Sequence, residues 1–458
     1  MTSSLKFEHL LTPQGIEHAR RIVIDAQGVI TAIEPASPPY DGVFAVAGMP
    51  NAHSHAFQRV LIGVRDAGDA GSFWSWRDAM YAVASRITPE QLEVIAGQAF
   101  REMLAAGYTS VAEFHYLHHL PDGRRGLEMA QAIIAAARTA GIRLTLLPVL
   151  YQRGGFDRPP LVEQQRFLYE ALPDYLEFVR ALRERCVLGI APHSLRAVSF
   201  ASLRALRDAL AKWEVNPDGN AWPIHIHISE QRREVDECRQ LHGRSPIEAL
   251  HEEVGLGPQW HLVHATHATP HELELVRTSH ANVVLCPLTE AQLGDGFFPA
   301  VDYGAGGGRF AIGSDSNARI DAVEELRLAE LGQRLRLERR VRLGGPDPAG
   351  SLWALAARQG GRALGQNTGA LAPGYFADVV VLDHEAPIFA GLAPEAWLDA
   401  WLLSGSAAEI AACYVGGHRH ERAPSAARGT VGRATGTWRC GTTEPWWRGE
   451  MRRTCRRD

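Results

Sequence analysis

Runs of apolar residues change their spacing twice along this chain. Near the start, Ala19–Ile24 and Val29–Ile33 are short apolar pieces on either side of the turn-like Asp25-Ala26-Gln27-Gly28, which predicts small antiparallel β structure. The same texture returns at Ala377–Leu382 and Ala412–Val415. Two β-rich ends flanking a long middle predict one β-sandwich-like domain composed of residues 1–47 and 369–417. Between them, residues 48–368 alternate short apolar runs with amphipathic stretches, the pattern of parallel strands joined by crossover helices. Eight runs are strand-like: Val43–Pro50, Thr109–Phe114, Leu144–Val149, Val187–Ala191, Ile224–Ile228, Trp260–Ala265, Asn282–Cys286 and Phe310–Ser314. Helical patterns separate most of them, and Thr88-Pro89-Glu90-Gln91 is a strong helix start, with Thr as cap, Pro at the first position and Gln three residues on. Eight βα units predict an α/β fold, a (β/α)8 TIM-like barrel. After Gly417 the pattern is lost: His418–Asp458 holds ten Arg against four acidic residues with little periodicity, which predicts a solvated or disordered tail in preference to a nucleic-acid arm.

Composition removes several classes of function. With 46% apolar and 22% charged residues the chain matches an ordinary globular protein, not a disordered one. A formal net charge of −5 creates no strong field for nucleic acid or an anionic membrane. No apolar run reaches the length of a membrane span, and the first residues, MTSSLKFEHLLTPQG, lack the pattern of a signal peptide. The expected setting is cytoplasmic, with a small molecule as partner. The six cysteines form no CxxC pair, which argues against a disulfide scaffold or a zinc ribbon. Only Lys6 and Lys212 are lysine among 47 basic residues, so any mechanism that needs an active-site lysine has two candidates.

The chemistry sits at the ends of the strand-like runs. The first closes on Met49-Pro50-Asn51-Ala52-His53-Ser54-His55; in extended chain His53 and His55 project from one face, which lets two imidazoles reach one metal ion. The fifth reads Ile224-His225-Ile226-His227-Ile228-Ser229-Glu230. A histidine among β-branched residues needs a partner, because burying the ring without one costs a few kcal/mol. His227, nearer the C-terminal end of the run, is the expected ligand, and the deeper His225 a core residue satisfied by hydrogen bonds. His264 ends the sixth run and Asp315 follows the eighth. Strand ends of a barrel converge on one site, so these residues belong together. Cys286, in VVLCPLTE, has no thiolate-stabilising partner in view and reads as a buried small hydrophobe.

In this ordered pattern (HxH, His, His, Asp on a barrel, with a composite β domain) the chain resembles the amidohydrolase superfamily up to about residue 416. In that family the HxH pair, the fifth-strand His and the eighth-strand Asp hold metal, which would be His53, His55, His227 and Asp315 here. The sixth-strand His, His264, would orient or polarise the reacting groups. Many relatives bridge two metals through a lysine on the fourth strand, but this run leads into Ala191-Pro192-His193, so a lysine bridge is excluded. A Glu bridge through Glu113 stays open, although one metal is the better expectation. Three nitrogens and a carboxylate make Zn²⁺ the default ion, with Fe²⁺ or Mn²⁺ as alternatives.

His227-x-x-Glu230 resembles the aminohydrolase, or deaminase, branch. The resemblance implies hydrolysis at an sp² carbon bearing nitrogen, with Asp315 and His264 taking the water's proton and Glu230 delivering one to the departing nitrogen. The segments NAHSHAFQR, FWSWR, EFHY, APHSLR, HISEQ, CPLTEAQLGDG and GSDSN are similar to members that act on an acyclic amidine carrying two carboxylates. By that resemblance Gln58, Arg77, Tyr116, His193 and Arg196 form the substrate-binding shell, and the protein is a homodimer. Two arginines suit two carboxylates, since a guanidinium pairs bidentately with each. The alternative is a mononuclear aminohydrolase for a cyclic or nucleoside-like amidine, which would not need both Arg77 and Arg196.

Overall fold

A computed structural model describes residues 3–63, 73–213, 222–340, 343–344 and 348–420. Among the described residues, β1 (Ser3–Thr12), β2 (Gly15–Ile24), β3 (Ile30–Pro35) and β4 (Gly42–Ala47) precede a parallel series. That series is β5 (Met49–Ser54), β6 (Tyr108–His115), β7 (Arg143–Leu150), β8 (Val187–Leu188), β9 (Ala191–Pro192), β10 (Ile224–Ile228), β11 (Trp260–His264), β12 (Asn282–Leu285) and β13 (Phe310–Ile312). The chain then returns to β14 (Val379–Leu382), β15 (Ile410–Val415) and β16 (His418–His420).

The parallel strands make a TIM-like barrel. One arc pairs β5, β6, β7 and the short β8, with β9 also on β7; the other runs β10-β11-β12-β13. Single bridges Ile190–Ile224 and Ser194–His227 join the arcs on one side, and Ser54–Asp315 closes them on the other. Strands β5, β6, β10, β11 and β12 are buried at every position, because helices cover the outside of a parallel barrel while side chains fill its inside. The helix Pro89–Ala105 starts as its sequence predicts: the Thr88 hydroxyl accepts from Gln91 N, and the Gln91 side chain returns to the Thr88 backbone.

Strands from the two ends of the chain form a sheet in the order β16-β15-β14-β4-β1-β2-β3. Three expectations change here. The apolar run Val43–Pro50 is not one barrel strand. Gly42–Ala47 pairs with β1 and β14 in the terminal sheet, and only Met49 onward enters the barrel beside β6. Apolarity is continuous across Gly48 because both sheets bury this segment, so periodicity cannot show where the chain changes partner. Nor does regular structure stop at Gly417: His418–His420 pairs antiparallel with Cys413–Val415. This edge strand is polar and joins through its backbone, which leaves no hydrophobic signal. The remaining expected tail, 421–458, lies outside the described residues. The fourth strand run is also broken, into Val187–Leu188 and Ala191–Pro192. No helix among the described residues is long and apolar enough to cross a membrane.

A buried carboxylate locks the terminal sheet to the barrel. Asp378 accepts from Arg143 through both oxygens, at 3.1 and 3.2 Å, and also from Thr368 Oγ1 and Gly416 N. The Arg143 guanidinium lies 3.5 Å from the Phe376 ring centroid, so its charge is paired on its edge and covered on its face. Asp378→Ala leaves that guanidinium partly buried without its partner. The expected cost is about 3–5 kcal/mol, read as a lower urea midpoint at unchanged m-value.

Candidate active site

The C-terminal ends of the barrel strands bring the predicted ligands together. Extended β5 projects His53 and His55 from one face, and their Nε2 atoms lie 3.1 Å apart. His227 Nε2, from β10, is 3.0 Å from His53 Nε2. Asp315, just beyond β13, places Oδ1 3.2 Å from His55 Nε2 and 3.6 Å from His53 Nε2. All four residues are buried. His225, two residues deeper on the same face, donates from Nε2 to Ala363 O at 2.7 Å and stays out of this group.

Proton positions test whether the group suits a cation. His55 Nδ1 is 3.0 Å from Phe114 O, and His227 Nδ1 is 3.2 Å from His193 O. A carbonyl oxygen only accepts, so each Nδ1 carries the proton and each Nε2 turns a lone pair inward. Burial lowers the His53 pKa to about 3 and takes His227 well below its ordinary value, so both rings are neutral. Asp315 turns its Oδ1 towards the same point, 3.2 Å from His55 Nε2 and 3.6 Å from His53 Nε2. Converging lone pairs and a carboxylate repel one another unless a positive ion lies among them. The donor set therefore fits one divalent metal, with nitrogen and oxygen ligands of the kind zinc accepts.

Glu113 is not a second-metal bridge. One of its oxygens accepts from Ser54 Oγ at 2.7 Å and the other from Ala56 N at 2.6 Å. Burial pushes its pKa up to about 7, against these hydrogen bonds. The carboxyl holds the turn that carries His55. The same clamp continues around the barrel seam: Asn317 Nδ2 donates to Ser54 Oγ, Ser314 Oγ to Asn317 Oδ1, and Asn51 Nδ2 to Ser314 Oγ. Gly313 is required at this seam, since a Cβ there would sit 2.7–2.8 Å from His53 backbone and Cβ atoms. Ser229, His264 and Asp315 take positive φ values of 53°, 69° and 45°, strain of the kind that collects where strand ends are bent to aim side chains.

A second polar layer faces the ligands. His264 Nε2 lies 3.7 Å from Asp315 Oδ2 and 3.9 Å from Glu230 Oε1. Its Nδ1 is 3.2 Å from Glu290 Oε1, which also accepts from Cys286 N. Burial disfavours a charged His264, but Glu230, Glu290 and Asp315 together overcome it and raise its pKa to about 10. Glu290 was absent from the expected site; a lone Glu in CPLTE shows no partner until β11 and β12 lie side by side. Cys286 is buried, and burial raises its thiol pKa well above the ordinary value.

These groups open into a cavity of about 270 Å³ lined by all five expected substrate-shell residues. Gln58 Nε2 donates to the Tyr116 hydroxyl at 2.8 Å. The His193 ring lies 5.0 Å from that of His227. An Arg196 guanidinium nitrogen is 3.6 Å from Glu230 Oε2, and Arg77 stands over the Tyr81 ring at 5.3 Å. Trp76 lines the cavity too, while the side chains of residues 73–75 lie outside the described residues. Burial works against the charge of Arg196, and Glu234 and Glu230 more than restore it.

The family model described as "Amidohydrolase family" matches residues 44–417. The chain belongs to the amidohydrolase family. Its sequence is 44% identical to formimidoylglutamate deiminase of Pseudomonas aeruginosa over 428 residues, covering 91% of this chain and 94% of that one. It is 27% identical to 8-oxoguanine deaminase of the same organism, over 83% and 86% of the two chains. Among solved structures, an amidohydrolase from Brucella melitensis superposes with a TM-score of 0.83 at 38% identity, covering 91% of this chain and 94% of that one.

For this amidohydrolase the donor geometry predicts one bound divalent ion per chain. His227→Ala or Asp315→Ala is expected to weaken retention by more than the roughly 10–100-fold typical of losing an outer partner. Metal analysis after dialysis against a chelator checks this. Glu113→Ala, which frees the His55 turn, is expected to fall within that range.

Proposed function

We propose that this chain is a formimidoylglutamate deiminase: it hydrolyses N-formimino-L-glutamate to N-formyl-L-glutamate and ammonia. One observation carries the reading: of the five arginines lining the cavity that holds the three-histidine, one-aspartate donor group, Arg153, Arg158 and Arg233 pair with Asp157 and Glu237, while Arg77 and Arg196 stand at the tyrosine wall and beside Glu230. The substrate has the matching polarity, with an amidine at one end and two carboxylates towards the other. The 44% identity to a deiminase of that name supports the same choice.

The roles follow from position. His53, His55, His227 and Asp315 hold one divalent ion, with Zn²⁺ the natural choice for this donor set. When bound there, such an ion supplies a hydroxide nucleophile at neutral pH by acidifying water. Asp315 Oδ2 stands 3.7 Å from His264 Nε2 and is placed to receive the proton of the attacking water, which His264, kept protonated by Glu230, Glu290 and Asp315, orients. Glu290 keeps His264 turned towards Asp315. Glu230, 3.9 Å from His264 and open to the cavity, takes the His264 Nε2 proton, which Asp315 replaces with the one from the water, and delivers it to the departing nitrogen. The C–N bond then breaks, a C=O bond forms, and nitrogen leaves as ammonia rather than as its anion. Arg77 and Arg196 bind the carboxylates, while Gln58, Tyr116 and His193 line the path between them and the ligands. A cytoplasmic homodimer is the setting that the family resemblance supports.

A second reading remains, because Tyr116, Tyr151 and Phe167 also line the cavity and rings stack on bases. In that case the substrate is a cyclic or nucleoside-like amidine.

Ammonia release by metal-replete protein separates the two readings. N-formimino-L-glutamate is expected to be turned over, and guanine, cytosine and adenosine not; nucleobase turnover instead would discard the arginine assignments. Glu230→Gln is expected to lower kcat by about 10²–10⁴ while leaving ion content intact. Arg77→Met or Arg196→Met should act mainly on KM.

A further inference from the structure

One wall of the cavity, Tyr81 and Tyr151, is backed by a buried amide that the catalytic roles leave unexplained. Gln164 is fully buried. Its Nε2 donates to the Tyr81 hydroxyl at 3.0 Å and to the Tyr151 hydroxyl at 2.9 Å, while its Oε1 accepts from Leu161 N at 2.8 Å. Both amide hydrogens are therefore used on tyrosine oxygens acting as acceptors. Each tyrosine keeps its own O–H, and only one of these two hydrogens can be shared between the hydroxyls. At least one must point elsewhere, and both tyrosines line the cavity.

Around them stand the two guanidiniums. Arg77 and Arg196 both act on Tyr151 electrostatically, and Tyr81 and Tyr151 both act on Arg196. A hydroxyl donor on a cavity wall that Arg77 overlies at 5.3 Å and Arg196 shares is arranged for an anion with several acceptor lone pairs, which is what a carboxylate offers.

The distance from the ligands says which carboxylate. Tyr116 packs on the ligand His55 at 5.2 Å between centroids, and His193 on the ligand His227 at 5.0 Å. Tyr151 is one ring further out, 4.6 Å from His193, and Tyr81 lies beyond it through Gln164. In N-formimino-L-glutamate the side-chain carboxyl carbon is five bonds from the amidine carbon, roughly 6 Å in extended chain, whereas the α-carboxyl is three bonds away.

We propose that Tyr81 and Tyr151, held by Gln164 in the cavity that Arg77 and Arg196 also line, form the subsite for the distal carboxylate and so set the preference for a dicarboxylate over a monocarboxylate amidine. Gln164 is a positioning residue: by donating one amide hydrogen to each hydroxyl it fixes both oxygens and leaves at least one O–H to donate away from the pair. The inference rests on the deiminase reading above.

The test compares kcat/KM for N-formimino-L-glutamate with that for the N-formimino derivative of L-2-aminobutyrate, which lacks the distal carboxylate. Tyr81→Phe and Tyr151→Phe are each assayed on both substrates from one preparation. Loss of a hydroxyl leaves a Gln164 hydrogen unpaired and lowers stability, but the ratio between substrates cancels any change in the amount of active protein. The dicarboxylate preference is expected to fall by about tenfold to a hundredfold in at least one variant, mostly through KM, as for a lost hydrogen bond to a charged group. A preference within about twofold of the unsubstituted protein in both variants overturns the assignment. Failure of the unsubstituted, metal-loaded protein to turn over either substrate overturns the deiminase reading instead, so the two failures are distinguishable.

Discussion

Three imidazole nitrogens and a carboxylate oxygen that all lie within 4.8 Å of one another, with nearest pairs at 3.0–3.6 Å, repel one another without a cation among them, and a large part of the chain is arranged to hold them so. The backbone does much of this. Carbonyls of Phe114 and His193 fix which nitrogen of His55 and His227 turns inward. Gly313 lets the last strand close against His53, and that closure brings Asp315 to a ligand pair more than 250 residues earlier in the chain. The buried chain Glu113–Ser54–Asn317–Ser314–Asn51 crosses the same seam. A barrel strand end bent into positive φ is unfavourable alone; here the metal group and the seam over-determine it.

Charge is sorted across the cavity as a consequence. Near the ligands stand Asp315, Glu230 and Glu290, with His264 among them; further out stand Arg77 and Arg196. Such a division orients a molecule with a cationic amidine end and an anionic carboxylate end before any chemistry begins, and it disfavours the reversed pose through like-charge contacts. The Arg196–Glu230 approach at 3.6 Å marks the boundary between the two halves. In the proposed roles, the groups for the reacting end and those for its anionic end are thus coupled through one pair of side chains.

How much of this the chain reveals before folding depends on whether partners lie close in sequence. His53 and His55 are legible because a two-residue period puts both on one face at a strand end. The choice of His227 over His225 is legible from depth along a five-residue strand. The crossing from terminal sheet to barrel at Gly48 is not, because both environments bury the segment equally and only the pairing partner differs. His418–His420 is hidden for the opposite reason: an edge strand joined by backbone alone needs no apolar residue. Glu290 becomes meaningful only once β11 and β12 are neighbours.

The tyrosine wall is the extreme case. Tyr81, Tyr151 and Gln164 come from separate segments, and Gln164 lies 83 and 13 residues from its two partners. None of them has a spacing that distinguishes it from an ordinary packed residue. What makes them informative is an accounting of hydrogens: two amide donors consumed by two phenol oxygens leave hydroxyl hydrogens that need an acceptor. Buried polar groups are satisfied in folded proteins, so a donor left over on a cavity wall that two guanidiniums share is satisfied by what the cavity holds. No motif marks such a donor; once the backbone has fixed the heavy atoms, their neighbours decide where each proton goes, as the Phe114 and His193 carbonyls do for the histidine lone pairs at the donor group.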